Sequence, residues 1–192
     1  MFFNILTCLA CTLLSLVISS SAFVSRSTPS AGEEFSLYAY GDSVGGLPLF
    51  YSDGKAAVGI LSSSNSSASN VTFERTSDSS TGSLVGNPPN GTSASSANSS
   101  WSDQFLYIPS SSSSSNEIGF TSESGDNATT TKFVFYGQTL LVKDESGDIV
   151  SSFYARQSSS EGGGVYSLLW NVTEDHDAVF PVSLRTVAAS NA

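Results

Sequence analysis

Residues 34–61 read EFSLYAYGDSVGGLPLFYSDGKAAVGIL, and their spacing decides the fold class. Over residues 34–40 the side chains alternate, with Phe35, Leu37 and Ala39 on one face and Ser36, Tyr38 and Tyr40 on the other. That is the two-residue period of a half-buried strand. Residues 47–51 and 55–61 are two further apolar runs, separated by Ser52, Asp53 and Gly54. An Asp-Gly pair between such runs predicts a tight hairpin, because glycine accepts the positive φ that the turn needs.

The same pattern recurs along the chain. Residues 131–143 hold FVFYG and TLLVK, with Gly137 expected to split the run or form a bulge, and DESGD at 144–148 leads into a further run at 149–156. Residues 165–172, VYSLLWNV, place Tyr166, Leu168 and Trp170 on one face and Val165 and Leu169 on the other. A strand apolar on both sides belongs in the middle of a sheet packed on both faces. Residues 179–187 close the pattern with Phe180, Val182 and Leu184 on one face, and shorter strands are predicted at 71–75, 104–108 and 117–121. No stretch of helical spacing runs free of Gly, Pro or Ser clusters. The expectation is an all-β fold, an antiparallel β-sandwich or barrel of about ten strands with long Ser-rich loops.

Composition narrows the class. The chain has 192 residues, 17 acidic and 7 basic side chains and a net charge of −10. A nucleic-acid binder, whose affinity comes from Lys and Arg on phosphates, is excluded on that balance. Serine occupies 43 positions and threonine 14, concentrated at 62–69, 78–100, 110–115 and 157–164. Such segments bury little apolar area and read as mobile, O-glycosylatable loops; the longest, 77–100, reads as disordered.

Residues 2–18, FFNILTCLACTLLSLVI, are almost unbroken apolar, and Ser20 and Ala22 follow at the −3 and −1 positions of a signal-peptide cleavage site before Phe23. The alternative is a membrane anchor near the lower length limit for a span. The signal reading divides the chain into a signal peptide at 1–22, a flexible segment at 23–33, a single β-domain at 34–188 and a tail at 189–192. Cys8 and Cys11 would leave with the signal peptide, so the mature chain would hold no thiol. Eight asparagines beyond residue 22 are followed by at least two residues. Six of these, Asn65, Asn70, Asn90, Asn98, Asn127 and Asn171, sit in N-x-S/T sequons. Chance at this hydroxyl content gives about two or three, so N-glycosylation at these six positions is expected.

Chemistry is sparse by comparison. Gly41-Asp42-Ser43, with Gly46 behind it, follows an apolar strand and resembles the nucleophile block of the GDSL/SGNH esterases. That resemblance implies a three-layer α/β fold, a Ser43 nucleophile and a histidine three residues beyond an aspartate. The only histidine here is His176, and Thr173 stands where the aspartate belongs. A Gly-Asp-Ser turn is the plainer reading. Asp144, Glu145, Ser146 and Asp148 form one acidic loop and Glu174, Asp175 and Asp177 another, but neither has the spacing of an EF-hand. Solvated turns are therefore expected at both. No catalytic, cofactor-binding or metal-ligating residue is assigned.

Tyr38, Tyr40, Trp101, Tyr107, Tyr136, Tyr154, Tyr166 and Trp170 divide between two roles. Rings with a polar tip suit half-buried strand positions, whereas exposed rings stack on sugars. Trp101, between a Ser-rich loop and a strand, is the ring expected to be exposed.

At EFSLYAYGDSVGGLPLFYSDGKAAVG, TKFVFYG, GVYSLLWNV and FPVSLRTVA the chain resembles a group of small secreted glycoproteins of filamentous fungi, over residues 34–188. The resemblance implies an extracellular, wall-associated, glycosylated β-domain and carries no catalytic residues. The reading that follows is a secreted, non-enzymatic protein whose partner is a cell-wall polysaccharide or a host surface, with no membrane contact after cleavage. A lectin-like carbohydrate-binding module is the first alternative and a Ser43 esterase the second.

Overall fold

The computed structural model describes residues 27–42, 44–61, 68–77, 79–89, 101–123, 125–158, 164–173 and 178–190. Among these residues there are sixteen β-strands and no α-helix. The first nine are β1 (Tyr38–Gly41), β2 (Val44–Ser52), β3 (Lys55–Gly59), β4 (Ala68–Asn70), β5 (Thr72–Arg75), β6 (Leu84–Asn87), β7 (Gln104–Pro109), β8 (Gly119–Thr121) and β9 (Ala128–Thr129). The remaining seven are β10 (Phe133–Tyr136), β11 (Thr139–Lys143), β12 (Ile149–Val150), β13 (Phe153–Gln157), β14 (Val165–Trp170), β15 (Val179–Pro181) and β16 (Ser183–Arg185). They form one antiparallel sheet curled into a half-barrel, in the order β10-β11-β16-β1-β2-β3-β8-β7-β6-β5. From this path β14 branches off β3, β13 off β14 and β15 off β13, while β4, β9 and β12 flank β2, β7 and β11.

The hairpins follow the turn chemistry. β2 and β3 pair up to Ser52↔Lys55, leaving Asp53 and Gly54 as a two-residue turn with φ of 50° and 79°. Two positive φ values give the twist that matches the flanking strands. Gly137, at φ 58°, opens the turn between β10 and β11, so it divides the run into two strands. β14 lies between β13 and β3. Val165, Leu168 and Leu169 are all buried there, as expected of a central strand.

β2 changes partner along its length. Its first half pairs with β1, and Leu49 to Ser52 pair with β3. Between the Ala39↔Leu47 and Tyr40↔Gly45 pairs the register shifts by one residue, and Gly46 is the residue left over, at φ +82°. A glycine bulge of this kind bends a strand and increases its twist. A Cβ at Gly46 would lie 2.7 Å from the Ala189 methyl and 3.0 Å from the Tyr40 hydroxyl oxygen.

The curl brings the ends of the path together. Gly82 donates to the Phe133 carbonyl at 3.0 Å and Phe133 donates back to the Gly82 carbonyl at 3.2 Å. Beside this seam the buried Arg75 guanidinium donates to the carbonyls of Pro29 (2.8 Å) and Ser79 (2.9 Å) and lies over the Phe135 ring. Residues 27–33, part of the segment 23–33 expected to be flexible, are held against β5, with Ala31 bridged to Arg75. Inside, Leu37, Leu49, Phe73, Leu106, Phe153 and Leu168 are almost inaccessible to solvent. Each such side chain contributes about 1.5–3 kcal/mol by leaving water.

Three expectations need correction. The segment 77–100, read as disordered, contains β6, which lies between β5 and β7 with Leu84 in the core; residues 90–100 lie outside the described residues. The segment 62–69, read as a loop, contributes Ala68 and Ser69 to β4. The single run at 179–187 is two strands: β15 pairs with β13 and β16 with β1 and β11, and the Val182 amide donates to Phe153 between them.

Replacing Gly46 by Ala should cost about 1–3 kcal/mol, because an L side chain would be forced into a positive φ. The same change at Gly45, where a Cβ meets nothing within 4 Å, should stay within about 0.5 kcal/mol. Urea unfolding of the two variants measures the difference, and equal losses would refute the role given to the bulge.

Candidate functional site

The Gly41-Asp42-Ser43 motif does not lie between a strand and a helix. Gly41 and Val44 are paired in the antiparallel ladder of β1 and β2, so the connection is that of a hairpin; Ser43 itself lies outside the described residues. The three-layer α/β fold implied by the esterase resemblance is not the fold of this chain. Glu174, Asp175, His176 and Asp177 also lie outside the described residues.

The acidic turn between β11 and β12 satisfies its own oxygens. Ser146 donates its hydroxyl to Asp144 Oδ1 at 2.6 Å and to Asp148 Oδ2 at 2.9 Å, and the Asp148 amide donates to Asp144 Oδ1 at 2.9 Å. The Ser146 bond, helped by backbone amides, holds the Asp144 carboxyl below its ordinary pKa. Among the described residues no three His, Cys, Asp or Glu side chains converge as metal ligands would.

Trp101 is buried, contrary to expectation. Its ring stacks on Tyr51 with centroids 4.3 Å apart and 7° between planes, and its indole N–H donates to Ser69 Oγ at 2.8 Å. The sequence places Trp101 beside a serine tract, but β2 and β4 supply the ring and the hydroxyl that enclose it. Of the other rings, Tyr136 is 82% exposed. Tyr38, Tyr40, Tyr107, Tyr154, Tyr166 and Trp170 are half-buried.

Trp170 stands at a cleft. The segment 110–115, read as a mobile serine loop, is tied down by its own backbone and hydroxyls. Ser110 donates its amide to Asn127 O and its hydroxyl to Asp126 O, Ser113 Oγ donates to Ser115 O, and the Glu117 amide donates to Ser115 Oγ. Asn116 fastens the loop to β14. Its Nδ2 donates to the carbonyls of Trp170 and Asn171, at 3.0 and 3.2 Å, and its own carbonyl accepts from the Trp170 amide at 2.8 Å.

Two hollows flank this loop. One, of about 230 Å³, is lined by Trp170, Asn171, Lys132, Lys143, Glu145 and the serine hydroxyls. The second, of about 380 Å³, shares Ser115 and Asn116 with the first and contains Glu117 and Arg156. Charges balance in both. In the first, Lys132 approaches Glu145 at 3.9 Å, and Lys143 and Asp144 complete the set. In the second, Glu117 is held by Lys55 at 2.8 Å and Arg156 at 3.5 Å. Burial pushes the nearby Tyr107 hydroxyl above its ordinary pKa, and the Glu117 charge adds to that while Lys55 opposes it.

Of the six sequon asparagines, Asn70, Asn127 and Asn171 are described, and all three are exposed. Asn65, Asn90 and Asn98, like Ala22 and Phe23 at the expected cleavage site, lie outside the described residues. Asn127 and Asn171, remote in sequence, meet at the serine loop: the first accepts the Ser110 amide, and the second lines the cleft. Asn116 was not singled out by sequence reasoning, and no local signal marks it, since its partners arrive from β14.

Comparison with protein-family models, with curated proteins and with solved structures gave no match to this chain.

Replacing Ser146 by Ala should raise the Asp144 pKa toward the ordinary aspartate value, because the largest cause of its depression is removed. A carboxyl whose folded pKa is depressed stabilises the fold above its unfolded pKa and loses that contribution as pH falls through the folded value. Carbon-detected NMR titration of Asp144 checks this; an unchanged midpoint would contradict it.

Proposed function

We infer that this chain is an exported, N-glycosylated β-domain that acts by binding, and that the cleft beside Trp170 takes a neutral saccharide. The observation that carries the ligand class is the composition of that cleft: an indole set among serine hydroxyls, Asn171 and a balanced set of charges. Apolar sugar faces stack on aromatic rings, and sugar hydroxyls exchange hydrogen bonds with both charged and neutral partners. A charge-balanced lining gives no preference for an ionic ligand. Export is supported by the apolar run and small residues at 2–22 and by six sequons, three of them on exposed asparagines. A wall polysaccharide or a glycosylated host surface fits as partner, and the net charge of −10 discourages adsorption to anionic surfaces. Binding is preferred to ester hydrolysis because the Gly-Asp-Ser motif belongs to a hairpin connection.

Full chain from a secretory host, passed over chitin, β-glucan and mannan, should be retained on at least one of them. Lys132→Ala with Glu145→Ala should weaken retention at least about tenfold, since hydrogen bonds to charged groups contribute about 1.5–3 kcal/mol. No retention on any polysaccharide would end the saccharide reading, and turnover in a hydrolase panel, lost on mutation of one serine or carboxylate, would end the non-enzymatic one.

A further inference from the structure

Two of the three described sequons converge on one cleft. Asn127-Ala128-Thr129 holds the serine loop through the Asn127 carbonyl, and Thr129 lines the cleft; Asn171-Val172-Thr173 begins in the same cleft, directly after Trp170. Asn171 has left the strand at φ +49°, and its amide and carbonyl are fixed by Ser152 and Asn116. A rigid backbone at the attachment point limits how far a first sugar can swing. The preceding residue, Trp170, is half-buried and lines the same small hollow, its ring set edge-on to Phe153 with centroids 5.0 Å apart.

We propose that the N-glycan on Asn171 lays its first sugar into this cleft against Trp170, so that the chain's own carbohydrate occupies and gates the site. The idea rests on the reading of the chain as an exported glycoprotein, and it names the ligand more closely. N-glycans begin with two β-1,4-linked N-acetylglucosamine units, so an external ligand competing for the same seat is a short β-1,4-N-acetylglucosamine oligomer. Apparent affinity for such a ligand falls in proportion to the fraction of molecules whose seat is empty. Asn127 itself does not line the cleft, so glycosylation there has no such seat.

The test uses full chain from a eukaryotic secretory host, with site occupancy read by glycopeptide mass spectrometry. Wild type, Asn171→Gln and Asn127→Gln are titrated with triacetylchitotriose, and their tryptophan fluorescence is quenched with acrylamide. Trp101 is buried and Trp170 is the second of two tryptophans, so changes in quenching report on Trp170. Thr173→Ala, which removes the same sequon and keeps Asn171, gives the same comparison if the Asn171 variant fails to fold. The expected result is stronger quenching after loss of the Asn171 glycan and binding about tenfold tighter, as for a seat filled nine-tenths of the time, with Asn127→Gln unchanged.

Equal quenching with Asn171 occupied overturns the proposal. So does a bare Asn171 beside a glycosylated Asn70 or Asn127, which leaves the export reading intact. If all six sequons are bare, both fall. Protection of Trp170 without chitotriose binding by any form supports the self-seated sugar and removes the external ligand.

Discussion

Strand β2 cannot run straight, because Gly46 is left over between the Ala39↔Leu47 and Tyr40↔Gly45 pairs, and within its nine residues the strand passes from β1 to β3. On both sides of the bulge, as far as Pro48, β2 pairs with β1, which leads to β16, β11 and β10; from Leu49 onward it pairs with β3, which leads to β8, β7, β6 and β5. One extra residue in a ladder re-aims everything that follows. The curl that results lets Gly82 and Phe133 close the seam and puts the side chains of both halves into one core.

No covalent staple assists this closure among the described residues, which contain no cysteine. The core relies on alternating apolar positions meeting across the curl, with Phe35 stacked on Phe73 and edge-on to Phe135. Arg75 is buried at the same place, and its guanidinium spends its donors on backbone carbonyls. A charge so placed is tolerated because it is hydrogen-bonded and lies over an aromatic face.

The serine-rich segments acquire order from the sheet. Residues 110–116 have no apolar side chain with which to pack, yet their hydroxyls cap neighbouring amides and carbonyls, and Asn116 binds the loop to β14. Short hydroxyl side chains compete well for local backbone groups, which is what a polar loop needs in order to hold shape beside a cleft. The charged side chains there come from separate elements: Lys143 ends β11, Lys132 precedes β10 and Arg156 lies on β13.

Strand identity was legible in the letters wherever a two-residue alternation ran between turn formers, as at Phe35 to Ala39 and at Val165 to Trp170, because that period is local. The Asp53-Gly54 turn was legible for the same reason. β4, β6 and β9 were not, since two to four residues among polar neighbours carry too little pattern; β4 and β9 become strands by adding to β2 and β7, and β6 by pairing with β5 and β7 on either side. The fate of Trp101 was equally hidden, because the ring that covers it comes from Tyr51 and the hydroxyl that receives its indole proton from Ser69. By itself, then, the sequence determined an all-β chain, its principal hairpins and the sequon positions, all properties of neighbouring residues. Only the tertiary structure decided the order of the strands, the closing of the seam and the meeting of Asn127, Asn171 and Trp170 around one serine loop, because those depend on contacts between segments whose separation along the chain leaves no local trace.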